Sequence, residues 1–285
     1  MKRMFLFLLI FGFSFLYVSL IGNVKYKVQK KWETKKKLQV PESVLYDPVR
    51  NVIYVSNIKG NPGKKDRNGF ISKVALDGKI KKLKWVKGLD APKGLAIYND
   101  KLYVADIDLL VEIDIKNGKI LNKYPAPGAI FLNDVTVDDS GNVYVSDTAS
   151  KNSVIYRFRN GKIAVWIKDE KINQPNGLYA EGNRLIVGNS GDGCLNIVSL
   201  SDKKITTIAR TGAGIDGIAP DGKGNYFISD WRGKTSLVSP SGQITELLNT
   251  TNDKINAADI TFIKNKKLLL VPTFFDNRVM AYEVK

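Results

Sequence analysis

One pattern, repeated six times, constrains the fold of this chain more than any other feature. Each unit carries a short polar turn, an apolar strand, a turn built on Asp, Asn or Gly, and a second apolar strand ending in most units in Asp or Asn. The openings are Pro41-Glu42-Ser43-Val44, Pro92-Lys93-Gly94-Leu95, Leu132-Asn133-Asp134-Val135, Pro175-Asn176-Gly177-Leu178, Ile215-Asp216-Gly217-Ile218 and Ala257-Ala258-Asp259-Ile260. Between their second residues the steps are 51, 40, 43, 40 and 42. Second strands are expected at Val52–Asn57, Leu102–Asp106, Val143–Asp147, Leu185–Asn189, Tyr226–Asp230 and Leu268–Thr273. Third and fourth strands follow in most units, as in Phe70–Leu76 with Lys79–Val86 and Val154–Arg159 with Lys162–Ile167. Asp77-Gly78 and Asn160-Gly161 join these pairs, and such dipeptides are the strongest short hairpin signal. Four antiparallel strands in about 42 residues make one propeller blade. The sequence therefore predicts an all-β fold, a six-bladed β-propeller over residues 38–285. A prior of about 150 residues per domain would give two domains; six units closing one ring give one.

The two ends complete this reading. The last unit, Ala257–Lys285, holds three strands only. The stretch Tyr26–Thr34 precedes the first unit and reads as a strand without a partner. It is predicted to complete the sixth blade beside Val279–Val284, which removes an exposed edge. Further upstream, Lys2 and Arg3 precede Met4–Ile21, 18 residues without a charge. That is the pattern of a secretory signal or a short membrane anchor, expected as an apolar N-terminal targeting helix. The small-x-small cleavage pattern is poor, with Gly22 at best, so cleaved and uncleaved forms both stay open. Residues 1–22 are read as signal peptide or signal anchor, and 23–37 as a basic linker with the ring-closing strand. The expectation is a monomeric exported protein, periplasmic or extracytoplasmic. If the leader is uncleaved, it holds the protein at the inner membrane.

Composition then removes whole classes of chemistry. The chain has no His and one Cys. Ser-His-Asp and Cys-His catalysis, His-ligated zinc and internal disulfides are excluded. The net charge is +16, but 35 of the 44 basic residues are Lys and 9 are Arg. Phosphate and base recognition favours the planar Arg fork, so nucleic acid is not expected as a partner. Gly233-Lys234-Thr235 is not a phosphate loop, because Ile228 stands where a Gly is needed and no helix follows. Cys194 reads as a strand-edge residue without a His partner.

In a propeller the innermost strand of each blade starts near the axis. The equivalent starts here are Glu42, Lys93, Asn133, Asn176, Asp216 and Ala258. Four are oxygen donors, two of them carboxylates. Converging carboxylates resist ionisation unless a counter-charge joins them. Carboxylate and amide oxygens suit Ca²⁺, with Mg²⁺ or Mn²⁺ as further options. Asx residues at strand starts also serve local turns. A shared turn would repeat one residue type, however, and these six positions hold five types, with Lys93 and Ala258 in two units. The second-strand ends Asn57, Asp106, Asp147, Asn189 and Asp230 are nearly uniform and read as structural caps of the loops that follow them.

These motifs together resemble the gluconolactonase, senescence-marker-protein and luciferin-regenerating-enzyme family of six-bladed propellers over about residues 38–285. Segments such as Asn142–Asp147 are also similar to NHL-type repeats. The resemblance implies a divalent metal held by Glu42, Asn176 and Asp216, with Asn133 contacting substrate or metal. Sugar-lactone hydrolases of that family often carry an Arg two residues before the substrate Asn. Here that position is Phe131, an apolar substrate face, with Lys93 as a replacement cation or else an outward, solvated Lys. The resemblance implies metal-assisted hydrolysis of a small lactone or ester, with Asp216 also accepting a proton from water. The loop Ile58–Asn68 is a candidate lid, and Trp231, Phe274 and Phe275 are candidates to wall the channel mouth. The rival reading is a non-catalytic binding propeller, with a structural metal or none.

Overall fold

A computed structural model describes residues 26–285; the expected leader helix at 1–22 lies outside the described residues. The described residues form 24 strands in six four-stranded antiparallel sheets. After β1 (Val28–Glu33), the first blade comprises β2 (Pro41–Asp47), β3 (Val52–Asn57), β4 (Gly69–Val74) and β5 (Ile80–Leu89). The second comprises β6 (Pro92–Tyr98), β7 (Lys101–Asp106), β8 (Leu109–Asp114) and β9 (Ile120–Pro125). The third comprises β10 (Leu132–Val137), β11 (Val143–Asp147), β12 (Val154–Arg159) and β13 (Lys162–Ile167). The fourth comprises β14 (Pro175–Glu181), β15 (Arg184–Asn189), β16 (Cys194–Ser199) and β17 (Ile205–Arg210). The fifth comprises β18 (Ile218–Pro220), β19 (Tyr226–Asp230), β20 (Lys234–Val238) and β21 (Ile244–Asn249). The sixth contains β22 (Thr261–Ile263), β23 (Leu268–Pro272) and β24 (Val279–Val284), with β1 added in the order β1-β24-β23-β22.

That added strand joins the chain ends. Val28 lies opposite Val284 and Glu33 opposite Met280. Lys27 and Lys285 exchange backbone bonds of 2.8 and 2.9 Å, and Val279 N–H donates to Thr34 Oγ1 at 3.0 Å. The outer edge of β24 is thereby paired. No helix among the described residues is long and apolar enough to cross a membrane.

Local chemistry explains the strands. The second strands are buried on both faces, since each lies between two neighbouring blades; Val52 to Asn57 are all buried. They therefore read as unbroken apolar runs rather than alternating ones. At the β12–β13 turn Asn160 and Gly161 have φ of 51° and 76°, as a type I′ hairpin requires. Apolar clusters fill the six seams: Tyr54, Leu95 and Val104 lie between the first two blades, and Leu38, Val55 and Leu270 between the sixth and the first. Near the axis the blades approach so closely that side chains are excluded. A Cβ on Gly94 would lie 2.5 Å from Asp134 Cα, and one on Gly217 would lie 2.5 Å from Ile260 N.

The acids and amides ending the second strands act backward along the chain in most blades. Asp106 accepts from the N–H groups of Asp90 and Ala91, Asp147 from those of Ile130 and Phe131, and Asn57 from that of Gln39. They tie down the loop that enters their own inner strand. Asp147 also takes the Ala149 N–H of the following loop at 3.2 Å, and Asp230 pairs with Arg232 just after it. The expected capping of following loops is thus the minor part.

Candidate functional site at the channel mouth

All six inner strands run in one direction along the axis, so their starts gather at one mouth of the channel. Glu42, Lys93, Asn133 and Asn176 are the second residues of β2, β6, β10 and β14. Asp216 and Ala258 stand just ahead of β18 and β22. In the first four blades the pairing slips at this point, between Pro41 and Val44, Pro92 and Leu95, Leu132 and Val135, and Pro175 and Leu178. The extra residue frees the strand start from the ladder and re-aims its side chain. Serines on the second strands take the stray N–H groups: Ser56 from Ser43, Ser146 from Asp134 and Ser229 from Gly217. Ser146 and Ser229 also donate to the carbonyls of Asn176 and Ala258 in the next blade, at 2.8 and 2.7 Å. Each of these ring residues is thus fixed by a neighbouring blade as well as by its own.

All six ring residues are buried, none more than 7% exposed. Glu42 Oε2, Asn133 Oδ1, Asn176 Oδ1 and Asp216 Oδ1 are buried without a hydrogen-bond partner. An unpartnered buried polar group costs about 1–3 kcal/mol. Burial holds the Glu42 and Asp216 carboxyls well above the usual carboxylate range. The charges of Asp216 and Asp259 raise Glu42 further, and those of Asp259 and Asp230 raise Asp216. Among the described residues no group of three or more His, Cys, Asp or Glu side chains is arranged as a metal site. The donors here are two carboxylates and two amides, an all-oxygen set that a hard divalent cation would satisfy.

Lys93 corrects one expectation. It is not an outward, solvated Lys but 1% exposed. Its ammonium donates to Ala91 O at 3.2 Å and sits 4.2 Å from the centre of the Phe131 ring. Burial pulls its pKa down to about 8, against the opposing pull of Glu42, Asp106 and Asp147. Phe131 and Lys93 therefore form one cation–π unit.

Sequence reasoning passed over Asp134 and Asp259, one residue beyond the ring. Asp134 accepts the N–H groups of Val135 and, from the next blade, Leu178, both at 2.6 Å. Asp259 accepts the Ser43 hydroxyl across the closing seam. Burial raises both, Asp259 to about 7. The available signal was their place in the repeat, where the other units carry Ser43, Gly94, Gly177 and Gly217.

Trp231, Phe274 and Phe275 follow second strands and so lie at the ring end of the channel. They form an edge-to-face trio, with centroids 5.5, 5.8 and 4.8 Å apart. Phe274 packs beside Ala258, in a cluster that includes Ile58, Ala91 and Ile107. The loop Ile58–Asn68 is tied to the second blade by Lys65 to Asp108 at 2.6 Å and by the Arg67 N–H to Asp90 at 2.9 Å. Cys194 is buried, and burial pushes its thiol up.

No family model matches the chain. No curated protein matches it either. Solved structures do. An X-ray structure of a provisionally assigned gluconolactonase superposes with a TM-score of 0.70 at 15% identity, covering 92% of this chain and 93% of that one. A chain of a nidogen–laminin complex superposes with a TM-score of 0.65 at 16% identity, covering 78% and 84%. This chain shares with the first the gluconolactonase-like six-bladed propeller fold.

Proposed function

We propose that this protein is a divalent-cation-dependent hydrolase of a small lactone or ester, acting at the ring end of the channel. One observation carries the reading: four blades each contribute a buried oxygen with no partner, on Glu42, Asn133, Asn176 and Asp216. Those residues would hold the cation, Ca²⁺ first, with Mg²⁺ and Mn²⁺ accepted by the same donors. When bound, it supplies polarisation of the carbonyl and stabilisation of negative charge on its oxygen. The likeness to the solved gluconolactonase fold supports this reading but does not identify a substrate.

The chain's own groups supply the rest. Asp216 accepts a proton from the attacking water, whose oxygen bonds to the carbonyl carbon. The bond to the leaving oxygen then breaks, and the proton passes to that oxygen. Phe131 offers a flat apolar face to the substrate, and Lys93 behind it supplies a positive charge. Asn133 orients the substrate or joins the cation.

The second reading is a binding propeller without catalysis. Lys93 favours it, because its ammonium offsets the Glu42 charge with no metal present. The same fold occurs in the nidogen–laminin complex. A panel of lactones and esters, assayed with Ca²⁺ and with chelator, separates the two readings. The proposal expects cation-dependent hydrolysis that falls at least about 100-fold in Glu42→Gln and Asp216→Asn. Hydrolysis surviving both substitutions would place the site elsewhere. Cation binding with no hydrolysis of any panel member would establish the second reading.

A further inference from the structure

A large cavity among the described residues opens at the other end of the channel. Its volume is about 630 Å³, within the range of small-molecule sites. It is lined by the later parts of the six inner strands, one residue or more beyond the ring. Val44, Leu95, Val135, Leu178, Ile218 and Ile260 occupy one repeat position and make a closed apolar collar. Asp134 and Asp259 reach the cavity, but their oxygens already accept hydrogen bonds from Val135, Leu178 and Ser43. The collar thus asks for hydrocarbon, while Thr136, Thr261 and Asn265 make the wall beyond it polar.

The rim has a different character. Lys264 lines the mouth, and its side chain lies against Gly222 of the fifth blade. Lys264, Lys266, Lys267 and neighbouring Lys223 are exposed, and none makes an ion pair among the described residues. Val49, beside rim residue Pro48, is 84% exposed. The start of β1 lies on this same face, because Lys27 pairs with Lys285 and Val284 N–H donates to Lys267 O. The 18 uncharged residues Met4–Ile21 precede that point in the sequence.

We propose that this face lies against a membrane and that the collar takes an acyl chain of an anionic phospholipid, whose head group meets the lysine rim. The apolar collar, the four unpaired lysines at the fifth and sixth blades and the upstream apolar segment all point to one occupant. The test uses the full chain in phosphatidylcholine vesicles containing phosphatidylglycerol with a diazirine at the end of one acyl chain. Photolabelling should fall on peptides carrying Leu95, Val135, Leu178 and Ile218. It should fall about tenfold or more in Lys264→Glu/Lys266→Glu/Lys267→Glu, since each basic residue adds attraction to an anionic surface. Leu178→Trp should block it by filling the collar. If that variant does not fold, the exposed lysine triple still decides the matter. Label confined to residues 1–25 and the outer strands would overturn the proposal. So would equal labelling by a diazirine phosphatidylcholine, or equally efficient labelling by diazirine palmitate without vesicles, which would make the occupant a free amphiphile.

Discussion

Lys93 shows how a single residue changes meaning between chain and fold. In the sequence it is one of 35 lysines. In the structure it is buried in the oxygen ring, with one hydrogen bond and an aromatic face as neighbours. Unfolded, its amine keeps its proton up to about pH 10.4; folded, it loses it near pH 8. Between those values the unfolded chain binds the extra proton, so stability rises with pH there. In chelator, wild type should gain about 1–2 kcal/mol relative to Lys93→Met from pH 8 to 9.5, read by denaturant unfolding. Parallel curves for the two proteins would show that the ammonium is not buried at a cost. The glycines one residue past the ring make a second residue-scale prediction. Gly94→Ala would press a Cβ against the backbone of Asp134 and should cost about 1–3 kcal/mol or more. Gly63→Ala, whose Cβ meets only the Asn61 side chain at 3.6 Å, should be near neutral. Glu42, Asn133, Asn176 and Asp216 were legible because a repeat places equivalent residues on one axis. Asp134 and Asp259 were not, because an Asp beside a strand start looks the same whether it caps its own turn or ties two blades.

At the scale of elements, the blades were the most legible part. The Asp77-Gly78 and Asn160-Gly161 turns fix hairpins locally, and doubly buried second strands give apolar runs that no helix period mimics. The short β18 and β22 were harder to place, since Asp216 and Ala258 lie ahead of them and are held by backbone bonds to Ser229 and Pro272 instead. Ring closure rests on β1. Trp32 stacks where a Cβ on Gly78 would lie 2.7 Å from its ring, and five residues of β1 pair with β24. Deleting residues 26–34 would expose the β24 edge and open the seam to the first blade. The expected outcome is a loss of at least about 10 °C in Tm, at roughly 2–4 °C per kcal/mol for a chain of this size. An unchanged melt would mean that the ring closes without this strand.

For the whole molecule, the channel has two unlike ends. One gathers oxygen donors beneath an aromatic wall; the other is an apolar collar with a lysine rim. The absence of His leaves the first end to oxygen chemistry alone. The net charge of +16 falls to +14 without Lys2 and Arg3; of that, residues 23–37 carry +6 and residues 38–285 carry +8. The oxygen-donor end was legible in the sequence from the strand starts, but the collar end was not, because the collar residues read simply as inner-strand core.

The central claim is that the ring binds a divalent cation, and thermal unfolding tests it most directly. Wild type and Asp216→Asn are each melted in EDTA and in excess Ca²⁺, with Mg²⁺ and Mn²⁺ in parallel. A ligand at about 100 times its Kd adds roughly 2.7 kcal/mol, which is about 5–10 °C for a chain of this size. The predicted result is a rise of that order in wild type with at least one of the three ions, and little or none in Asp216→Asn. No response of wild type to any of the three, or an equal rise in both proteins, would contradict it.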